Sequence, residues 1–258
     1  MSQRIHPTAL IDPSAVIADG VEIGPFAIIG PAVTIGAGCR IAARAILEQN
    51  VRLAANVQVG SGSVLGGPPQ DLKYAGEETW VEIGSGTQIR EFTTINRGTS
   101  ASGVTSVGRG SFIMTYVHIA HDCHIGDGVI MANGTQLAGH VTVEDHVVIS
   151  GLVAVHQFGR IGEYAFIGGM TRVNQDIPPF VKAVGNPVEL YGLNTIGLQR
   201  QQFPADTIAG LKRAYRLCFN SDLNLSQALE RARKDLPPTA EIDRFLEFVS
   251  TSQRGVPA

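Results

Sequence analysis

Six of the chain's seven histidines fall between His118 and His156, four of them in the segments HIAHDC, LAGHV and AVHQF. Imidazole is the side chain best suited to take up and return a proton near neutral pH, and a carboxylate beside it can fix its tautomer. His121 is followed directly by Asp122, and Gly139, His140, His156 and Gln157 lie in the same stretch. A base, an orienting carboxylate and a glycine backbone that can donate an N–H are the parts an acyl transfer requires. His121 and Gly139 are 18 residues apart, so the fold must bring them together.

The positioning element is a repeat. An aliphatic residue recurs every six positions, at Ile5, Ile11, Ile17 and onward to Leu65, again at Ile83, Ile89 and Ile95, and again from Val107 to Val173. Four residues after an anchor there usually stands a small or β-branched residue, as in Ala9, Ala15, Val21, Ala27 and Val33. Neither a 3.6-residue nor a 2-residue period explains this pattern. A six-residue unit with one large and one small apolar position describes a short strand plus a corner, and three units close an 18-residue triangular coil. Coils stacked as parallel strands at about 4.8 Å would give a prism of roughly nine coils, about 40 Å tall. In such a prism, residues 18 apart share a column. His121 then lies beneath Gly139 and Gln157, Asp122 beneath His140, and Gly151 beneath Gly169. The histidines become one patch, and the glycine column opens a groove along the prism.

Residues 66–82 and 96–106 interrupt the repeat without losing its phase, which predicts two loops projecting from a rigid scaffold, a common place for function. The repeat ends near Val173, and IPPFVKAVGNPVELYG reads as a proline-punctuated exit. A helical period follows. One helix is expected after Pro204, with Ile208, Leu211, Ala214, Tyr215 and Leu217 inward. A second is capped by Asn224 with Gln227 three residues on and carries Leu225, Ala228, Leu229 and Ala232; a third follows Thr239 and carries Ile242, Phe245, Leu246 and Val249. The expected division is a prism over residues 1–189 and a dependent helical domain over 190–258.

Composition agrees with a narrow core: 30 glycines, 6% aromatic and 17% charged residues over 258 positions. With 44% hydrophobic residues and a net charge of -3 the chain is not disordered, and no stretch reaches the roughly 20 apolar residues of a membrane span. MSQRIHPTAL lacks the features of an export signal, so a cytoplasmic location is expected. Cys39, Cys123 and Cys218 have neither disulfide nor zinc-ligand spacing, so no metal or other cofactor is expected from them. No basic run suggests nucleic acid, although residues 190–258 are mildly basic, with nine Lys or Arg against seven Asp or Glu.

The segments QDLKYAGE, HIAHDC, LAGHV, AVHQF and QDIPPFV together resemble the UDP-N-acetylglucosamine O-acyltransferases, the first enzymes of lipid A biosynthesis, over essentially the whole chain. The resemblance implies a left-handed parallel β-helix, a helical C-terminal domain and a cytoplasmic homotrimer. It implies transfer of an (R)-3-hydroxyacyl chain from acyl carrier protein to the 3-hydroxyl of UDP-N-acetylglucosamine, without a cofactor or a covalent enzyme intermediate. His121 would be the general base, Asp122 its partner, and the Gly139 N–H the oxyanion donor. Gln70, His118, His140 and Gln157 match positions around the reacting sugar, and His156 matches a family histidine of less defined role. Asp71 and Lys73 match positions contacting sugar and nucleotide from an adjacent subunit. Asn194 and Arg200 match the nucleotide or carrier end, and Gly169, stacked on Gly151, matches the position whose size limits acyl length. The chain departs from the family pattern at Asn96, Ile196 and Gln201.

Two other readings use the same type of prism. One is an acyltransferase acting on a 3-amino nucleotide sugar. The other is a carbonic-anhydrase-like enzyme in which three histidines hold zinc, a reading that leaves the QDLKY loop without a purpose.

Overall fold

The computed structural model describes residues 4–257. Its larger part is a triangular prism of two- to five-residue strands in three sheets of eleven, nine and eight strands, one per wall. Successive coils pair in parallel at an offset of 18, as in Ile5 on Ile23, Ile119 on Leu137 and Leu137 on Val155. Across the first loop the offset becomes 30, with Leu65 on Ile95, and across the second it becomes 24, with Ile83 on Val107. The loops therefore add twelve and six residues, both multiples of the repeat, which is why the columns stay in phase. Strands Val64–Gly67, Trp80–Ile83, Thr94–Asn96 and Val104–Val107 run into the expected interruptions, so the loops proper are residues 68–79 and 97–103.

The anchors fill the axis. Ile29, Ile35, Leu47, Leu65, Ile119 and Leu137 are essentially inaccessible to solvent, each burial contributing about 1.5–3 kcal/mol. The small residues of each unit occupy the intervening inward positions. Cys39 and Cys123 are two of them, buried and donating their thiols to the carbonyls of Ala54 and Ala138. The corners place non-glycine residues in the left-handed region, among them Asp122 (φ 58°), His140 (φ 60°) and Phe158 (φ 63°) in one column. That conformation costs an L-residue about 1–2 kcal/mol. Corner-to-corner hydrogen bonds offset the cost: the His140 N–H donates to the His121 carbonyl at 3.0 Å, and the Phe158 N–H to the Gly139 carbonyl at 3.1 Å.

The prism closes with strand Val181–Val184, parallel to Phe166–Ile167, and antiparallel strand Glu189–Leu193. Four helices follow: α1 (Thr195–Arg200), α2 (Ala205–Phe219), α3 (Leu225–Asp235) and α4 (Ala240–Thr251). Helices α2, α3 and α4 match the three expected segments. Pro204 precedes α2 as its cap position, Asn224 and Gln227 form a reciprocal capping box, and Thr239 accepts the Ile242 N–H. Leu225 opens α3 exposed, while Ala228, Leu229 and Ala232 are buried; one helix, α1, is additional to the three expected, since TIGLQR is too short to show a helical period.

The helices pack on the prism of the same chain. Arg244 reaches both carboxylate oxygens of Glu163 at 2.7–2.8 Å, Ser252 donates to Asp176 at 2.7 Å, and the Arg160 guanidinium lies over Phe248. No helix among the described residues is long and apolar enough to cross a membrane.

Candidate active site

His121 and Asp122 form a corner between strands His118–Ile119 and His124–Ile125, and both side chains are buried. His121 Nδ1 lies 2.8 Å from Asp122 Oδ2. An ionised carboxylate only accepts hydrogen bonds, so Nδ1 must carry the proton and Nε2 is left as a free base. Burial pushes the Asp122 carboxyl upward, but hydrogen bonds from Ser102, His121 and Thr99 outweigh it and hold the group down at about 2. The carboxylate is therefore charged at any pH at which the imidazole works as a base.

Gly139 stacks one coil away, against the ring. A Cβ there would lie 2.6 Å from His121 Cε1 and 2.7 Å from Nε2, so only glycine leaves room for the imidazole. The Gly139 N–H makes no hydrogen bond among the described residues. A backbone donor without a partner beside a free imidazole nitrogen is the arrangement an oxyanion site requires.

His121 and Gly139 open into a cavity of about 810 Å³. Gln70, Asp71, Leu72 and Lys73 of the first loop line it, with His118, Gln136 and Gln157 on the prism wall and Leu137, Ala138, Ala154 and Val155 as an apolar floor. One chain thus brings Gln70, Asp71 and Lys73 to the same cavity as its own His121. Asp71 shapes the loop by accepting the Lys73 N–H at 2.9 Å, and Leu72 projects fully into solvent at the tip. His118 Nδ1 is 2.7 Å from Thr94 Oγ1. Burial, reinforced by the neighbouring His121, pushes the His118 imidazole below its ordinary value and favours its neutral form.

The remaining expected residues lie outside that cavity's lining. His140 sits behind the pair, its ring edge-on to His121 at 5.1 Å and stacked on Phe158 at 4.5 Å, with Nε2 3.7 Å from Asp122 Oδ2. His156 is exposed and bonds through Nδ1 to the Gln157 carbonyl. Gly151 and Gly169 stack further along the prism, where a Cβ would meet only ordinary or slightly tight contacts of 3.3–3.4 Å. Neither glycine has a positive φ, so no turn demands them. The Asn194 side chain caps α1, accepting from the Gly197 N–H and donating to the Tyr164 carbonyl. Arg200 is exposed in the last turn of α1. Of the family departures, Ile196 is exposed and Asn96 is buried, donating to the Pro68 carbonyl at 2.7 Å.

Sequence reasoning missed the groups that hold Asp122. Thr99 donates through its amide at 2.9 Å and its hydroxyl at 2.8 Å, Ser102 Oγ lies 2.5 Å away, and Thr105 accepts the Asp122 N–H. The second loop was visible as an interruption, but nothing in GTSASG says which hydroxyl turns inward.

His121, Asp122 and His140 are the only described cluster whose ligand atoms lie close enough to share a metal ion. They fit poorly as a zinc site: His121 Nδ1 and both carboxylate oxygens already have protein partners. Cys123 is no nucleophile, because burial pushes its thiol up to about 12.

Residues 176–257 match the family model described as UDP N-acetylglucosamine O-acyltransferase, domain 2, and residues 105–139 match the bacterial transferase hexapeptide model. The acyl-[acyl-carrier-protein]--UDP-N-acetylglucosamine O-acyltransferase of Burkholderia orbicola is 50% identical over 98% of each chain, and that of Anaeromyxobacter dehalogenans 49% identical over the same share. Among solved structures, a UDP-N-acetylglucosamine acyltransferase from Bacteroides fragilis superposes with a TM-score of 0.96 at 40% identity, covering 98% of this chain and 100% of that one.

Proposed function

Because the chain belongs to the UDP-N-acetylglucosamine O-acyltransferase family, we propose that it carries an (R)-3-hydroxyacyl chain from acyl carrier protein to the sugar 3-hydroxyl of UDP-N-acetylglucosamine, opening lipid A biosynthesis as a cytoplasmic homotrimer. It is an acyltransferase, built on a left-handed parallel β-helix of hexapeptide repeats with a small helical C-terminal region.

The observation that carries the reading is the 2.8 Å His121–Asp122 pair opening into a cavity beside the unpartnered Gly139 amide. His121 Nε2 takes the proton of the sugar hydroxyl as its oxygen attacks the thioester carbonyl. Asp122 stabilises the imidazolium that forms, and the Gly139 N–H receives the developing oxyanion, a contribution worth about 3 to 4 kcal/mol. Collapse expels the carrier thiolate, to which His121 returns the proton. A thiolate already leaves readily, which agrees with the absence of an activated nucleophile at Cys123. Gln70, Asp71, Lys73, His118 and Gln157 are proposed to bind the sugar and the nearer part of the nucleotide from the cavity wall, with His140 and His156 as flanking support. Gly151 and Gly169 are proposed to leave room for the acyl chain, and Asn194 and Arg200 to serve the nucleotide or carrier end, a role for Asn194 that its capping bonds must share.

The trimer is supported by one corner column of exposed apolar side chains: Phe26, Phe92, Tyr116, Leu152 and Met170. Light scattering of the purified protein reads the copy number directly. The deciding experiment for the activity is a steady-state assay with UDP-N-acetylglucosamine against acyl carrier protein thioesters of graded length, with and without chelator. Turnover that survives chelation is expected; absence of turnover with every thioester, or loss on metal removal, refutes the mechanism.

A further inference from the structure

The second loop, residues 97–103, closes over the corner that bears the proposed base. Five donors reach the two oxygens of Asp122: the Thr99 amide at 2.9 Å, the Ser102 hydroxyl at 2.5 Å and the Ser102 amide at 3.3 Å on Oδ1, and the Thr99 hydroxyl and His121 Nδ1, each at 2.8 Å, on Oδ2. Two carboxylate oxygens offer about four lone-pair sites, so the acceptor capacity is full. A second imidazole stands within reach, with His140 Nε2 at 3.7 Å from Oδ2, too far for a hydrogen bond as the carboxylate is held.

The loop is itself tied down. The Arg97 N–H donates to the Gly67 carbonyl, the Ser100 N–H to Glu77 of the first loop, and the Trp80 N–H to the Gly103 carbonyl. Arg97 is buried and bonds Tyr74 through Nη2, a further stitch to the first loop.

We propose that Thr99 and Ser102 are positioning residues that decide which of the two imidazoles Asp122 serves. Held by the loop, the carboxylate keeps one lone pair on His121 Nδ1 and none for His140, so His121 retains the tautomer with a free Nε2. Without the two hydroxyls the loop holds the carboxylate only at Oδ1, through the Thr99 and Ser102 amides, and Oδ2 gains a lone pair with which to turn toward His140. His121 is then no longer held in one tautomer. This inference rests on the reading of His121 as the general base.

The test compares the parent enzyme with Thr99→Val/Ser102→Ala, Ser102→Ala and Thr99→Ser, using UDP-N-acetylglucosamine and a 3-hydroxyacyl carrier-protein thioester. The double variant is expected to lose about 10- to 100-fold in kcat with KM within about twofold, an orienting effect. Its acid limb in the pH profile should move, because a carboxylate shared between two imidazoles no longer sets the proton on His121 alone. Thr99→Ser keeps both donors and should behave as the parent. A double variant with parental melting, kcat and acid limb overturns the proposal, as does a fall in kcat with an unmoved limb, which would mark a merely structural loop. Ser102 is exposed, so Ser102→Ala keeps the fold and decides if the double variant does not: a parental kcat and acid limb there also overturns the proposal. An inactive parent refutes the proposed function instead, which separates the two failures.

Discussion

Adding one methyl group at Gly139 tests the geometry of the site more sharply than removing the base. An alanine Cβ would stand 2.6 Å from His121 Cε1 and 2.7 Å from Nε2. Ordinary carbon contacts begin at about 3.5 Å, so the ring must retreat by roughly 0.9 Å. It has little freedom to do so. Nδ1 is held to Asp122 at 2.8 Å, and the His140 ring stands edge-on at 5.1 Å. A displacement near 1 Å of a catalytic group costs on the order of 100-fold in rate, while overpacking costs about 1–3 kcal/mol in stability. Gly139→Ala is therefore expected to lose about two orders of magnitude in kcat, with KM for the nucleotide sugar little changed and a melting temperature only some degrees lower. The alanine amide still carries its hydrogen, so the loss belongs to the displaced base and not to a deleted oxyanion donor. Steady-state kinetics beside a calorimetric melt reads both quantities. A variant with kcat within threefold of the parent would show that the imidazole does not act from where the fold holds it.

Other outcomes follow from the same structure. His121→Ala should fold and melt like the parent while losing at least about 100-fold in acyl transfer, as expected for a general base; circular dichroism beside the assay checks both. Gly169→Met places a long side chain on the exposed glycine column, and should shift preference toward shorter acyl chains in a competition among thioesters. The folded-state pKa of Asp122 lies below its ordinary 3.8, at about 2. Its contribution to stability is thus fully present above about 3.8 and is lost as pH falls from there through about 2. Urea titrations over that window should show a smaller acid-induced loss in Asp122→Asn than in the parent, and equal slopes would refute the depressed carboxyl.

The prism was legible because a β-helix is periodic in one dimension. Each anchor from Ile5 to Val173 repeats the same local decision, and a column is an 18-residue step that can be counted in the chain. The pairing of His121 with Gly139 and of Asp122 with His140 follows from that count alone, as does the survival of phase across two loops. The capped helices were legible for a similar reason, since Asn224, Gln227 and Thr239 signal their ends locally. Helix α1 was not, being a single short run that forms where Asn194 can bond both Gly197 and Tyr164.

By itself, then, the order of residues determined the scaffold, its register and the column holding the proposed base. It also accounts for the many glycines and few aromatics, because a triangular interior has no room for rings. Only the tertiary structure decided how the base is armed. The loops have no period, so nothing in the chain's spacing shows that Thr99 and Ser102 turn back onto Asp122, that Gln70 to Lys73 face His121 across a cavity, or that Asn194 is committed to a helix cap. Those contacts arise between segments whose meeting is set by three-dimensional closure, where a hydroxyl's direction depends on what the opposite loop leaves open.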